Sequence, residues 1–303
     1  MNFIKKIPLA VSGLALAVAS LGNLLRPQEP VIYIICGVLS TGLMCLFFSK
    51  VIFDFANVKN DLNNPVIMSA LPTSTMALML LSGYAKPFIG VAALLLWYLA
   101  VAVHILIMLA FVKRFVLNFD IKNVFPTWFV AFVGIVAASV TSPVMNAIWL
   151  GQIIFGVGFT FYIIVFPVIA YRIIKLGQLP EPARPTIAIF TAPMNLCMVG
   201  YLSTFEEPNA MLIYTMLTIS VLLYIYVTIK VLPLLKMKFY PTFAAMTFPY
   251  VINATAFNMV NQFLAERGHD FFGVAVIISQ WVAIAVVLYV LIRYLLFFKT
   301  KQV

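Results

Sequence analysis

The chain has 303 residues, 64% of them hydrophobic and 9% charged, where an ordinary soluble domain is about one-quarter charged. That balance excludes a water-soluble fold. The net charge of +10 would point to nucleic acid or acidic partners in a soluble protein, but here the charged residues separate uncharged runs, most long enough for a hydrocarbon core that needs about 20 apolar residues.

These runs predict ten membrane helices, at 7–25, 30–53, 65–85, 87–112, 125–141, 146–171, 185–204, 208–230, 241–265 and 271–297. The first follows Lys5 and Lys6 and ends in small residues, the pattern of a cleaved signal peptide; its share in the repeat described below assigns it to the fold instead. The fifth and sixth come from one uncharged run over 123–171, too long for a single helix and broken at Thr141-Ser142-Pro143, where proline cannot donate a backbone hydrogen bond. Strands of a closed barrel would alternate polar with apolar residues, and these runs do not. The loops leave no material for an extramembrane core, so 1–303 reads as a single transmembrane domain. Cys36, Cys45 and Cys197 lie inside apolar runs without metal-ligand spacing and read as small buried hydrophobes.

Taking the ends of ten helices alternately places Lys5, Lys6, Lys50, Lys59, Lys113, Arg114, Lys122, Arg172, Lys175, Arg184, Lys230, Lys236, Lys238, Arg293, Lys299 and Lys301 on one side. Only Arg26, Lys86 and Arg267 fall on the other, a division of 16 to 3. Cytoplasmic loops carry the excess of Lys and Arg, so both termini are expected in the cytoplasm of a multi-pass cell-membrane protein.

The odd-numbered helices share a proline followed by small, hydroxyl or amide side chains: Pro8 with Ser12 and Gly13, Pro72 with Thr73, Ser74 and Thr75, Pro126 with Thr127, Pro193 with Asn195, and Pro249 with Asn253 and Thr255. The prolines are 64, 54, 67 and 56 residues apart, so the repeating unit is one helical hairpin and the fold class is all-α, five tandem hairpins. A proline inside the membrane frees a carbonyl that lipid cannot satisfy and that a neighbouring helix or a water-lined cavity can. The odd helices, with kinks at Pro72, Pro193 and Pro249, should therefore face inward and the even ones form an apolar outer ring.

No paired carboxylates, HExxH, GxSxG or phosphate-binding glycine loop occurs, so neither an enzyme nor a metal or cofactor site is expected. Away from the span ends, which carry Lys50, Lys230 and Arg293, His104 is the one basic or acidic side chain within a predicted span. Such residues mark functional sites by default, which makes it a possible proton site; on an even helix it reads equally as a hydrogen-bonded structural residue. The inward helices offer Ser12, Gly13, Thr73, Ser74, Asn195, Asn253 and Thr255 as pore-lining candidates. Each polar one has a second reading as an interhelical hydrogen bond of about 0.6 kcal/mol. Without carboxylate rings such a path repels no anion, so a small anion is the expected cargo, with membrane lipid as the other partner and no nucleic acid.

Four stretches together resemble the tellurite-resistance/dicarboxylate transporter (TehA) family, relatives of the slow-type anion channels of plant guard cells. They are the opening Pro8-Leu-Ala-Val-Ser-Gly13, Pro126-Thr-Trp-Phe-Val-Ala-Phe-Val-Gly134, Pro193-Met-Asn195 with Gly200-Tyr201, and Phe248-Pro-Tyr-Val-Ile-Asn-Ala-Thr255. The resemblance covers essentially the whole chain. It implies five hairpins around a central pore, a homotrimer with one pore per copy, and a phenylalanine on the ninth helix that occludes the path, which Phe248 matches best. It also leaves two activities open: passive conduction of small anions, or proton-coupled transport of C4-dicarboxylates, sulfite or tellurite-related oxyanions.

Overall fold

The computed structural model describes residues 2–269 and 272–300; position 271, where the tenth helix was expected to start, and Lys301 lie outside them. The described residues contain helices and turns and no strand. Seven helices among them are long and apolar enough to cross a membrane: Pro30–Phe53, Pro65–Ile89, Val91–Val116, Ile148–Leu176, Glu181–Thr204, Ala210–Lys236 and Gly273–Lys299. The remaining three predicted sites are helical but shorter, broken or less apolar.

The first of these is α2 (Val11–Leu25), preceded by a short α1 (Asn2–Lys6). Then come α3 (Pro30–Phe53), α4 (Phe55–Asp61), α5 (Pro65–Ala70), α6 (Thr73–Ile89) and α7 (Val91–Phe111). The fifth site is split into α8 (Trp128–Phe132), a tight 3-10 turn at Gly134–Val136, and α9 (Ala137–Thr141). The chain continues through α10 (Ile148–Leu176), α11 (Ala192–Thr204), α12 (Ala210–Val231), α13 (Thr247–Ala265) and α14 (Gly273–Thr300).

Several boundaries differ from expectation for local reasons. Pro87, expected to open the fourth helix, lies in the last turn of α6, and the chain reverses at Gly90 with φ 49°, a backbone region open to glycine. The turn after Thr141 falls where expected and closes through Asn146 at φ 56°, a residue that tolerates the left-handed region. Pro193 and Pro249 do not bend the middle of a helix. They sit in the first turns of α11 and α13, where 3-10 runs at Glu181–Thr191 and Pro241–Met246 pass into α-helix. Pro72 likewise marks the break between α5 and α6.

Burial separates the two sets of helices. The Glu181–Thr204 and Pro65–Ile89 spans are 83% and 61% buried over their most apolar stretches, and the other five lie between 22% and 33%. Nearly all of α2, α8, α9 and the first half of α13 is buried as well. The inner pieces form a closed ring, α2 against α6, α6 against α9, α9 against α11, α11 against α13, and α13 against α2. Outside the ring α3 packs on α2, α7 on α6, α10 on α8 and α9, α12 on α11 and its 3-10 lead-in, and α14 on α13. Glycine permits close approaches: a Cβ on Gly151 would run into the Ser142 hydroxyl, one on Gly158 into Val136 Cγ2 and one on Gly22 into the Tyr84 hydroxyl. Cys36 and Cys197 are buried as expected, but Cys45 is exposed on the outer face of α3, because an outer helix is apolar on the face it turns to lipid too.

Candidate functional site

Inside the ring lies a cavity of about 530 Å³, and all five inner pieces contribute to its wall. A water occupies about 30 Å³ of liquid, so this space is large enough for a small anion and part of its hydration shell. Pro8, Asp61, Lys122, Pro180 and Thr242 line it at one end. They belong to the loops and lead-ins that carry most of the cations, so the cavity lies toward the basic face. Along the inner pieces its lining runs as far as Leu16, Met76, Gly134, Leu196 and Pro249, with Val133 and Phe248 beside them.

The sequence-derived candidates divide into those that reach this wall and those that do not. Gly13, Thr73, Pro193, Phe248 and Pro249 line it. A Cβ on Gly13 would stand 3.5 Å from Ala244 Cβ, in ordinary van der Waals contact, so α2 packs closely on the α13 lead-in at this point. Thr73 places its hydroxyl 2.7 Å from that of Ser12 and donates to the Ala70 carbonyl. Ser12 and Ser74 are buried, off the wall, and donate to Leu9 and Leu71 carbonyls. Pro72 is also off the wall.

Asn195 and Asn253 are fully buried, and neither borders the cavity. Asn195 donates to the Thr191 carbonyl at 2.6 Å. One turn below, the Thr191 hydroxyl reaches the Pro249 carbonyl at 3.5 Å and joins the lead-in of α11 to α13. Neither amide atom of Asn253 has a hydrogen-bond partner. Thr255 lies beyond the closed end of the cavity, half-exposed, and donates to the Val251 carbonyl.

His104 is fully buried on α7 and turns inward, its Nδ1 2.8 Å from the Thr75 hydroxyl of α6. It stands behind the wall: a Cβ on Gly134 would be 3.2 Å from its ring and 2.8 Å from Met76 Sδ, and both Gly134 and Met76 border the cavity. The histidine thus joins an outer helix to two inner pieces and does not itself line the path.

One expectation needs correction. The wall is not free of fixed negative charge, because Asp61 lines its mouth together with Lys122. Both come from connecting segments that fold back over the ring, and deeper in no ionisable side chain borders the cavity. The basic face holds a second acid, Asp54, buried beside Lys50, which pairs with it and also donates to the Lys5 carbonyl at 2.8 Å. The Lys50 hydrogen bond holds the Asp54 carboxyl below its ordinary range. This pair fastens α1 to the end of α3.

The wall residues Leu16, Met76, Val133 and Leu196 escaped the sequence reading because only small, hydroxyl and amide side chains were candidates for the lining, and these four are apolar. Only their spacing from Gly13, Thr73 and Pro193 along one helical stripe distinguishes them.

A ring of inner pieces around a cavity whose ionisable lining residues are Asp61 and Lys122, enclosed by apolar helices, suits passage of a small solute through a membrane. The sequence profile of the SLAC1 family, described as voltage-dependent anion channels, matches residues 6–295. The chain belongs to the SLAC1 family. It is therefore a multi-pass membrane protein of a family of anion channels and transporters. No curated protein gives a match.

Proposed function

We propose that the chain passes small anions down their gradient through the ring of inner pieces, and that Phe248 is part of the closure. The observation that carries this reading is the cavity itself: all five inner pieces line it, Lys122 and the cation-bearing connections border it, and Phe248 is among its lining residues. An apolar wall without carboxylate rings presents no repelling charge to an anion beyond the mouth, and a bulky apolar ring closes such a path by size and dewetting. The Lys and Arg side chains of the same face raise the local anion concentration, within a screening distance of about 8 Å at physiological salt.

In this reading ten segments cross the membrane as five hairpins, with both termini in the cytoplasm of a cell-membrane protein, and the cavity opens to the cytoplasm. Three copies form a homotrimer with one path each. Mass measurement in detergent by light scattering checks that stoichiometry. The competing activity, proton-coupled export of dicarboxylates, sulfite or tellurite-related oxyanions, would need a proton carrier, and His104 is bonded to Thr75 behind the wall.

Planar bilayers distinguish the two. Currents through the purified protein should reverse at the potential set by the anion gradient and stay there when a pH gradient is imposed. A reversal potential that moves with pH at fixed anion supports coupling, and one that follows the cation overturns anion conduction. Phe248→Ala should increase the anion current, whereas an unchanged current in a well-folded variant removes Phe248 from the closure.

A further inference from the structure

The closed end of the cavity has a regular construction. Its lining reaches furthest along the inner pieces at Leu16, Met76, Val133 with Gly134, Leu196, and Phe248 with Pro249; of these, Leu16, Met76, Val133, Leu196 and Phe248 make a first layer. Positions two turns further along the same stripe, each seven residues on, are Asn23, Gly83, Val140, Ser203 and Thr255. All five are half or fully exposed, although they lie on the most buried pieces of the molecule. The positions between, four residues beyond the first layer, are Ser20, Leu80, Ala137, Gly200 and Ile252, and every one is buried. Repeats of four and seven residues return to one face of an α-helix; the step from Val133 to Ala137 passes through the 3-10 turn at Gly134–Val136, so the stripe is set by the other four pieces.

The exposed layer is polar or small at four of its five positions, and the buried layer pairs three small residues with two bulky ones. We propose that the path is closed by two stacked layers, with Leu80 and Ile252 forming a second apolar barrier one turn beyond Phe248, and that Asn23, Ser203 and Thr255 line a mouth on the opposite face. This rests on the anion-path reading above and adds to it the residues that must also yield. Phe248 fills the floor of the cavity, so removing its ring deepens the cavity to the Leu80–Ile252 level. A dry apolar neck of that size still excludes a hydrated ion by dewetting. Ser20, Ala137 and Gly200 are small, and the space beside Gly200 is taken by Val136 of the neighbouring piece, so Leu80 and Ile252 are the bulky side chains of this layer and shortening either one widens the neck.

Chloride efflux from proteoliposomes tests the proposal, comparing the wild-type chain, Phe248→Ala, and Phe248→Ala combined with Ile252→Ala. Leu80→Ala replaces Ile252→Ala in a second pair in case one variant fails to fold. The double variants should conduct at least about tenfold more than Phe248→Ala alone, the behaviour of barriers in series. A double variant that conducts no more than Phe248→Ala overturns the second barrier and leaves the anion path standing.

A readout independent of conduction separates the two claims. In a background of Cys36→Ala, Cys45→Ala and Cys197→Ala, Ser20→Cys marks the buried layer and Ser203→Cys the outer mouth. A membrane-impermeant thiol reagent added on the side opposite the basic face should reach Ser203→Cys in every variant. It should reach Ser20→Cys only once Ile252 or Leu80 is shortened. Labelling of Ser20→Cys in the wild-type chain overturns the proposal, as does its protection in both double variants. Absence of chloride flux in all variants overturns the anion path, and the labelling pattern then decides the barrier by itself.

Discussion

The span Glu181–Thr204 and the one that follows it, Ala210–Lys236, are both apolar enough to cross a membrane, yet 83% of the first is buried and 22% of the second. The buried one is the less hydropathic of the two, and across the seven spans the two most buried are the two least apolar. In water the most apolar helix goes inside; in a bilayer the solvent is itself hydrocarbon and the preference inverts. The inner pieces retain hydroxyls, amides and prolines because neighbouring helices satisfy them, and the outer helices carry Leu, Ile, Val and Phe on the faces that meet lipid.

Two glycines two residues apart on α10 provide the strongest way to break this comparison. Gly158 faces the ring and Gly156 has nothing within 4 Å. Gly158→Leu should force the helix off Val136 and cost about 1–3 kcal/mol or more by overpacking, seen as a lower melting temperature or loss of the monodisperse peak in detergent. Gly156→Leu should leave both unchanged. Equal effects would mean that α10 does not divide its faces between ring and lipid as described.

A smaller effect is expected where the two rings are joined. Thr75→Val deletes the hydroxyl that meets His104, and an interhelical hydrogen bond in a membrane contributes about 0.6 kcal/mol. The melting temperature should fall slightly, and His104→Leu in the Thr75→Val background should add little hydrogen-bond loss of its own. Additive losses from the two changes would show that His104 is held by something other than Thr75.

The smallest effect near neutral pH concerns the buried charge pair on an outer helix. Asp54 is held below its ordinary value of 3.8 by the Lys50 hydrogen bond. A carboxyl lowered in the folded state contributes stability that is fully present above the unfolded value and lost as pH falls through the folded one. The contribution should therefore be flat from pH 5 to pH 8 and decline below about 3.8. Asp54→Asn should be less stable across the neutral range and lose that acid-side dependence, read from melting temperature against pH.

Much of the arrangement was legible from the residues. The proline-and-hydroxyl pattern picked out α2, α6, α8–α9, α11 and α13, the five pieces that form the ring, because a proline needs company that lipid does not provide. Lining residues were harder. Gly13 and Thr73 are on the wall, but Ser12, Ser74, Asn195 and Asn253 turn to helix backbones and interfaces, since a polar side chain in hydrocarbon takes the nearest carbonyl. Leu16, Met76, Val133 and Leu196 are apolar, outside the small, hydroxyl and amide types sought for a lining. Asp61 and Lys122 were not among the candidates because a linear chain does not reveal which connections border the cavity, and Cys45 was read as buried because an apolar run looks alike on its lipid and protein sides.

The 3-10 lead-ins also settle a question of reach. At about 1.5 Å per residue the 13-residue α11 extends about 20 Å, short of a hydrocarbon thickness of about 30 Å. The 11 residues of Glu181–Thr191 rise about 2.0 Å each and add about 22 Å. Wound as α-helix they would add about 16 Å. The 3-10 winding therefore gives this run about 5.5 Å more reach than α-helix would, about one α-helical turn, and carries Glu181–Thr204 across the hydrocarbon.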